Sequence, residues 1–439
     1  MVTGSPDGLR DGLDPPVLGD PDLDRLQLPA YEGASGEDQG GRISTGTLIG
    51  RPSPGRRGHR RRDAVGSLEV AVRLSAAYFC PARSPNGEAT TARTAGWTYA
   101  RSGVNRSEVS AALAQLVRSA RYAPPASHGR PVDAPGHYAG MVRIGRETIA
   151  VTTDTVGTKV LLAEELGRWE EVGEDIVGVN VNDLAAVGAR TAGLVDVILC
   201  ARPVGAQFRA LGRGLGRGLR AAECALLGGE TAVVPDIVHG TDLGGTAFGF
   251  FPDGRAPITG ARIRIGDVLL GIPSHGLHAN GFTLVRRLLR QGSVNLARPR
   301  PGGRGPVGRE LLRPTRIYTR AVESIADDPA VVGLAHMSGG GVRNLVRLRN
   351  EVAFVLDRWP APPSLFGWLQ ELGRISDQEM FQTFNMGVGF VVVVRRSRVA
   401  SIRRTLARHG APDVTEIGRV GRGSGVEVPA LGLRYEGYG

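Results

Sequence analysis

From Trp97 onward the chain reads as two consecutive α/β units, each mixing a sheet with helices. Three observations predict this class. Short apolar runs of period two alternate with longer stretches of helical period. A hairpin-like pair of runs opens the first unit, and the alternation restarts near Arg262. The expected partition is an extension at 1–95, a first domain at 97–261 and a second at 262–439.

Residues 1–95 hold Pro, Gly, Ser, Asp and Arg in clusters, and only "VGSLEVAVRLSAAYF" shows periodicity, so this segment is expected to be disordered. A helix is predicted from Ser107 to Arg121, capped by Ser107, with Val109, Leu113, Leu116 and Val117 on one face. "GMVRIG" and "TIAVTTD" form a strand pair turning at Gly145. "KVLLAEELGRW" and "EDIVGVNVNDLAAVGA" read as helices, and "TAGLVDVILCA" as a strand. "FRALGRGLGRGLRAAE" reads as a helix despite Gly212, Gly214, Gly216 and Gly218. Glycine weakens a helix, so four of them imply close backbone packing against a sheet. "ALLGGETAVVP" is a strand running into a loop, and "DLGGTAFGFF" another strand. The second unit opens with a strand, a Gly/His/Asn loop and a helix in "RIGDVLLGIPSHGLHANGFTLVRRLL". "RPRPGGRGPVGRE" (298–310) is expected to be a mobile insertion, and "RPTRIYTRAVESIA" a helix after its proline. Helix and strand then alternate through "FVVVV".

Composition limits the function classes. Of 439 residues, 54 are Lys or Arg and 43 Asp or Glu, a formal charge of +11 that suits anionic partners. Nucleic acid is the weaker candidate: aromatics are 5%, no basic–aromatic stripe appears, and the basic run Arg56–Arg62 is short and surrounded by acids. Cys80, Cys200 and Cys224 have no metal-ligand spacing and fit free thiols in a reducing cytoplasm. The acidic N-terminus lacks the apolar stretch of a signal peptide, and no run approaches the ~20 apolar residues of a membrane span. Lys159 is the sole lysine, all other basic residues being arginine.

That lysine lies in "TTDTVGTK". A strand delivers Asp154 to its end, where an acid can hold a divalent cation. The turn Val156–Thr158, with Thr155 and Gly157, offers backbone N–H groups to phosphate oxygens. Lys159 then adds a compact charge on a thin stem where a guanidinium is wide and planar. The spacing is not that of a Walker loop. Asn180, Asn182 and Asp183 share the next helix, Asp196 sits inside an apolar strand, and Glu230 follows two glycines. Capping or a buried ion pair explains any one of them. Together they supply the oxygens that a Mg²⁺–nucleotide site requires.

"DTVGTK", "NVNDLAAVGA", "GGETA", "GDVLLGIPSHGLHANGFTLVRRLL", "LLRPTRIY", "AHMSGGGVRNLVR" and "EMFQTFNMGVGF" occur in the order found in the aminoimidazole ribonucleotide synthetase (phosphoribosylformylglycinamidine cyclo-ligase) family. The resemblance spans Thr98 to about Gly421. "TYARSGVN" resembles the family's opening "TYKDAGVD", and "GHYAGMV" resembles its archaeal branch. The resemblance implies two mixed-sheet α/β domains of that type, a homodimer formed through strands of the first, and ATP with Mg²⁺. It implies ATP-dependent closure of formylglycinamidine ribonucleotide to aminoimidazole ribonucleotide. By motif position Asp154, Asp183 and Glu230 would hold Mg²⁺, and Lys159 would contact ATP phosphates, joined by Asp175 and Asn182. His278 and Asn280 would face the substrate. His336 precedes Gly339, Gly340 and Gly341, whose amides would admit the substrate's 5′-phosphate. Thr383 and Asn385 either contact substrate or only close a turn. Thr155 stands where the family has glycine, and Val233 where it commonly has glutamate. The alternatives are a related phosphotransferase with another acceptor, or a basic nucleic-acid-binding protein.

Overall fold

The computed structural model describes residues 96–120, 125–134 and 136–437. The expected extension at 1–95, with Cys80 and Arg56–Arg62, lies outside the described residues.

Helix α1 (Arg106–Ser119) starts one residue before Ser107, which therefore falls in its first turn instead of capping it. Its predicted apolar face exists but is not buried: Val109, Leu113, Leu116 and Val117 are all exposed. The first sheet is built from β1 (Arg130–Pro131), β2 (Gly140–Ile144) and β3 (Glu147–Thr155). After α2 (Lys159–Leu166) and α3 (Trp169–Ala185) come β4 (Arg190–Cys200), α4 (Gly205–Ala222), β5 (Ala225–Val233) and β6 (Thr241–Phe250). Its strand order is β1-β2-β3-β6-β4-β5, antiparallel except for the β4/β5 pair. The β2–β3 hairpin turns at Gly145, whose φ of +62° a side chain rarely adopts.

Alternation splits this sheet into two unlike faces. On the inner face α3 lies across the strands: a Cβ added to Gly245 would meet Asn180 Nδ2 and Ile176. The outer face leaves Val151, Val195, Val197 and Phe250 exposed. The glycines of α4 do signal close packing, but against α3 and not the sheet. A Cβ on Gly214 would stand 1.9 Å from the Glu170 carbonyl oxygen, and one on Gly218 would strike Val177 at 2.8 Å.

The second sheet collects β7 (Val268–Pro273), then, past α5 (Phe282–Gln291), α6 (Val307–Leu311) and α7 (Thr319–Glu323), β8 (Val331–His336) and β9 (Ala353–Val355). After α8 (Ser364–Gly373) and α9 (Asp377–Thr383) follow β10 (Val388–Val394), α10 (Val399–Arg408), β11 (Thr415–Gly421), β12 (Gly425–Val428) and β13 (Leu433–Tyr435). The order is β13-β12-β9-β11-β7-β10-β8. Strands β8 and β10 are buried at every residue, which is why "FVVVV" lacks alternation.

Two expectations change here. The stretch 298–310 folds back on itself: Pro299 bridges to Pro306, and Arg300 grips both carboxylate oxygens of Glu310. "RPTRIYTRAVESIA" is helical only from Thr319 to Glu323. Residues 313–318 stay outside any helix or strand, and their backbone groups are taken by side chains of the first unit.

The α3–α4 contact predicts opposite effects for two glycines. Gly214→Ala should lower stability by several kcal/mol, since backbone must shift. Gly212→Ala, whose Cβ meets nothing within 4 Å, should raise it by about 1 kcal/mol. Urea unfolding of the two variants checks the pair.

Candidate active site

Helix α3 carries the residues that organise the site. Asp175, Gly178 and Asn182 share one helix face by their spacing of three and seven. The irregular segment 313–318 lies along that face, close enough that a Cβ on Gly178 would press on Thr315 at 3.1 Å. Asp175 Oδ1 accepts from the Thr315 N–H (2.8 Å) and Oγ1 (2.6 Å). Asn182 accepts from the Tyr318 N–H (2.9 Å) and donates to the Arg316 carbonyl (2.8 Å).

Lys159 completes this clamp. Its Nζ lies 2.6 Å from Asp175 Oδ2, donates to the Arg313 carbonyl at 2.8 Å and stands over the Phe282 ring. Both charged side chains are fully buried. Burial drives the lysine below its ordinary range and the carboxylic acid above its own, while their mutual attraction opposes both shifts. In this arrangement the Lys159 ammonium is turned to Asp175 and to the Arg313 carbonyl. Asp175 and Asn182 likewise bond segment 313–318. The slot admits an ammonium with one carboxylate and one carbonyl partner; a planar guanidinium is too wide for it.

One residue beyond Asn182, Asp183 leaves the clamp and meets the second sheet. Its Oδ1 lies 2.8 Å from His336 Nδ1, at the end of β8. Asp154, at the end of β3, is exposed by area but stands among dense protein; that burial and the nearby Asp183 charge raise its pKa to about 6. Its Oδ1 accepts from the Thr155 N–H at 2.8 Å, and its carbonyl lies 3.5 Å from Asn180 Nδ2. Thr155 keeps negative φ, and the left-handed position of the turn falls on Gly157 (φ +65°). Thr158 Oγ1 pairs with Thr283 Oγ1 at 3.0 Å.

His278 sits 6.3 Å from His336 between ring centroids, its backbone at φ +60°. Tyr318 OH donates to the Pro273 carbonyl at 3.1 Å and lies 3.4 Å from His278 Nε2. When the phenol proton is given to Pro273, Nε2–H is the donor to the phenol oxygen and Nδ1 carries the lone pair. Burial, then the neighbouring His336, holds the His278 pKa well below that of a free imidazole, so the ring is neutral near pH 7. His278 Nδ1 and His336 Nε2 are both buried without a hydrogen-bond partner.

Two residues here escaped the sequence reading although both lie in quoted motifs. Arg347 lies 4.2 Å from the Tyr138 ring and donates to the Gly136 and His137 carbonyls. Burial and Arg347 lower the His137 pKa to about 4, against the pull of Asp183. Both line a cavity of about 350 Å³ with Thr259 and Arg349. Tyr318, which closes the motif "LLRPTRIY" and was expected to be helical, also belongs here.

Other expected site residues fall elsewhere. Glu230 is exposed inside β5, paired with Val197, on the outer face. The inner row runs Asp154, Gly245, Asp196, Gly229. Three strand spacings put Glu230 about 14 Å from Asp154, and the pleat puts it on the opposite face. Among the described residues no three His, Cys, Asp or Glu side chains form a metal-ligand group, so the trio Asp154, Asp183 and Glu230 is not assembled. Val233 is exposed at the end of the same strand. Asn280 does stand against the glycine loop: a Cβ on Gly339 would meet its Oδ1 at 3.0 Å. Gly340 and Gly341 have positive φ, but Gly341 is packed onto the Phe381 carbonyl and donates its N–H to Ser338. Thr383 donates to Glu379 within α9, and Asn385 donates to the Gly276 carbonyl and accepts from the Gly387 N–H and the Ser274 hydroxyl.

This fold defines a class of two-domain α/β proteins. Solved structures of that class include thiamine-monophosphate kinase from Stenotrophomonas maltophilia, at TM-score 0.50 and 22% identity, covering 69% of this chain and 92% of that one. Another is tt0281 from Thermus thermophilus, at TM-score 0.50 and 20% identity, covering 74% and 97%. The AIR synthase related protein N-terminal domain matches residues 136–251, and the corresponding C-terminal domain matches 264–430. The phosphoribosylformylglycinamidine cyclo-ligase of Thermococcus kodakarensis is 40% identical over 345 residues, 78% of this chain and 98% of the relative. That of Methanothermobacter thermautotrophicus is 42% identical over 299 residues, 67% and 86%. The chain belongs to the phosphoribosylformylglycinamidine cyclo-ligase family.

The clamp carries its own prediction. Lys159→Met leaves Asp175 buried without its counter-charge and should cost about 3–5 kcal/mol, whereas Lys159→Met with Asp175→Leu should recover much of that loss. Chemical denaturation of the single and double variants reads the difference.

Proposed function

We propose that this protein closes the imidazole ring of aminoimidazole ribonucleotide, using ATP and formylglycinamidine ribonucleotide and releasing ADP and phosphate. The observation that carries this reading is the 40% identity across 98% of a cyclo-ligase's length. The γ-phosphoryl group passes to the formyl amide oxygen of the acceptor, and ADP leaves. The amidine nitrogen then attacks the formyl carbon, the carbon–oxygen bond breaks with departure of phosphate, and the nitrogen loses a proton. This chemistry asks the protein for alignment, charge and water exclusion more than for covalent participation.

Residues 97–261 are the nucleotide-binding half and 262–439 the acceptor-binding half. Asp154 and Asp183 fit a magnesium ion, which takes one or two carboxylates and completes its shell with water and phosphate. The raised pKa of Asp154, due partly to the Asp183 charge, marks a place where a cation would relieve repulsion. Bound there, the ion would neutralise phosphate charge. His336 is oriented by Asp183 and keeps Nε2 for a ligand. His278 Nδ1, with its bare lone pair, receives the proton from the attacking nitrogen. Asn280 and the Gly339 loop border the acceptor. Free Cys200 and Cys224 fit a cytoplasmic setting. No described helix is long and apolar enough to cross a membrane.

The exposed outer face of the first sheet supports a homodimer. Val195, Val197, Leu227 and Phe250 leave apolar area that a second copy would cover. It would also bring Glu230 of each chain into an interface, which offers a role for that acid without a metal.

Incubation of the purified protein with formylglycinamidine ribonucleotide, ATP and Mg²⁺ is expected to yield the aminoimidazole product with one ADP per ring. Asp183→Asn should lower kcat by about 10²-fold. ATP consumption only with a different acceptor would replace this reading by the related-phosphotransferase one. Val197→Glu should shift the sedimentation coefficient from dimer to monomer.

A further inference from the structure

We propose that the loop between Arg298 and Arg313 forms a second ligand site, for a small phosphate anion of the pyrophosphate type, separate from the Asp154–Asp183 cluster. A cavity of about 400 Å³ opens there, with Arg300, Arg304, Arg309 and Arg313 around it. None of its lining residues belongs to the cluster.

The cavity is held in shape. Arg300 has a nearly buried side chain that donates Nε and Nη2 to the two oxygens of Glu310 (2.9 and 2.8 Å). Nη2 also donates to Ser364 Oγ at 2.9 Å, and Nη1 to the Pro301 carbonyl at 3.0 Å. The only carboxylate lining the cavity is therefore taken by Arg300. Arg304, Arg309 and Arg313 are exposed and make no ion pair among the described residues. Three like charges converging on one concavity repel each other until an anion enters. A Cβ on Gly302, at φ +70°, or on Gly305 would meet nothing within 4 Å, so no side chain or packed neighbour fills that edge of the cavity.

The chemistry of the lining selects the ligand. Guanidinium forks match phosphate oxygens in pairs, and three of them suit a multiply charged anion. A nucleic-acid strand calls for an extended basic groove with aromatic platforms; this site is a compact cavity without an aromatic residue in its lining. Its floor also connects to the clamp. The carbonyl of Arg313 accepts from Lys159, and Thr315, two residues on, bonds Asp175. A ligand on Arg313 thus sits at the start of the segment that joins the two halves.

Calorimetric titration of the full chain with inorganic pyrophosphate, in phosphate-free buffer, tests the site. Wild type should bind one equivalent, and Asp183→Asn should keep that binding. Arg304→Ala with Arg309→Ala should weaken it about a hundredfold, tenfold for each charged hydrogen-bonding group removed. Arg304→Lys with Arg309→Lys, which keeps the charge but loses the forks, should fall between the two. The proposal is overturned by no binding to wild type, by unchanged affinity in the alanine variant, or by loss of binding in Asp183→Asn alone. It is also overturned if an RNA oligonucleotide binds through these arginines while pyrophosphate does not.

Discussion

Everything in the site depends on a buried charge pair. Lys159 and Asp175 are removed from water entirely, which by itself costs several kcal/mol for each ion. Their 2.6 Å contact, the Arg313 carbonyl and the two Thr315 bonds offset that cost only if every partner is in place. The pair therefore fixes geometry more than it adds stability. The partners come from both α/β units, so the same contact that neutralises the charges holds segment 313–318 against α3. Asn182, one face-repeat further along, fixes the register of that segment through Arg316 and Tyr318.

The reacting groups inherit their positions from this arrangement. Asp183 follows Asn182 directly, so anchoring the helix on one side turns the next residue toward β8 and His336. Tyr318, whose amide is held by Asn182, carries the phenol that sets the His278 tautomer. The bare lone pair of one histidine and the orientation of the other trace back to the same two turns of α3. The inner row of the first sheet adds Asp154 beside them, with Gly245 leaving room for Asn180.

The sequence showed the fold class well. The strand periods of β3, β6, β7, β8 and β10 are strong because one face or both are buried, and these strands appear where expected. Segment 313–318 was misread because its conformation is set by distant side chains, which local periodicity does not report. The apolar face of α1 was legible as a pattern, but a pattern does not say that anything covers it. Within the site, Asp154, Asp183, His278 and His336 were found as chemically suited residues in ordered motifs. The outer-face position of Glu230 was not legible because a motif gives residue type without strand parity; one residue of offset in β5 reverses the face. Lys159 was singled out as the sole lysine, while its full enclosure beside Asp175 comes from a contact that the motif does not report. His137 and Arg347 carried no signal of their own, since their importance lies in a contact between segments more than two hundred residues apart.

The central claim is that segment 313–318 is locked to α3 by the buried pair. Native-state hydrogen exchange at the Thr315 amide tests it most directly. Opening only by global unfolding, with protection equal to that of the β10 amides, is the predicted result. Rapid exchange at Thr315 while β10 stays protected would contradict the account.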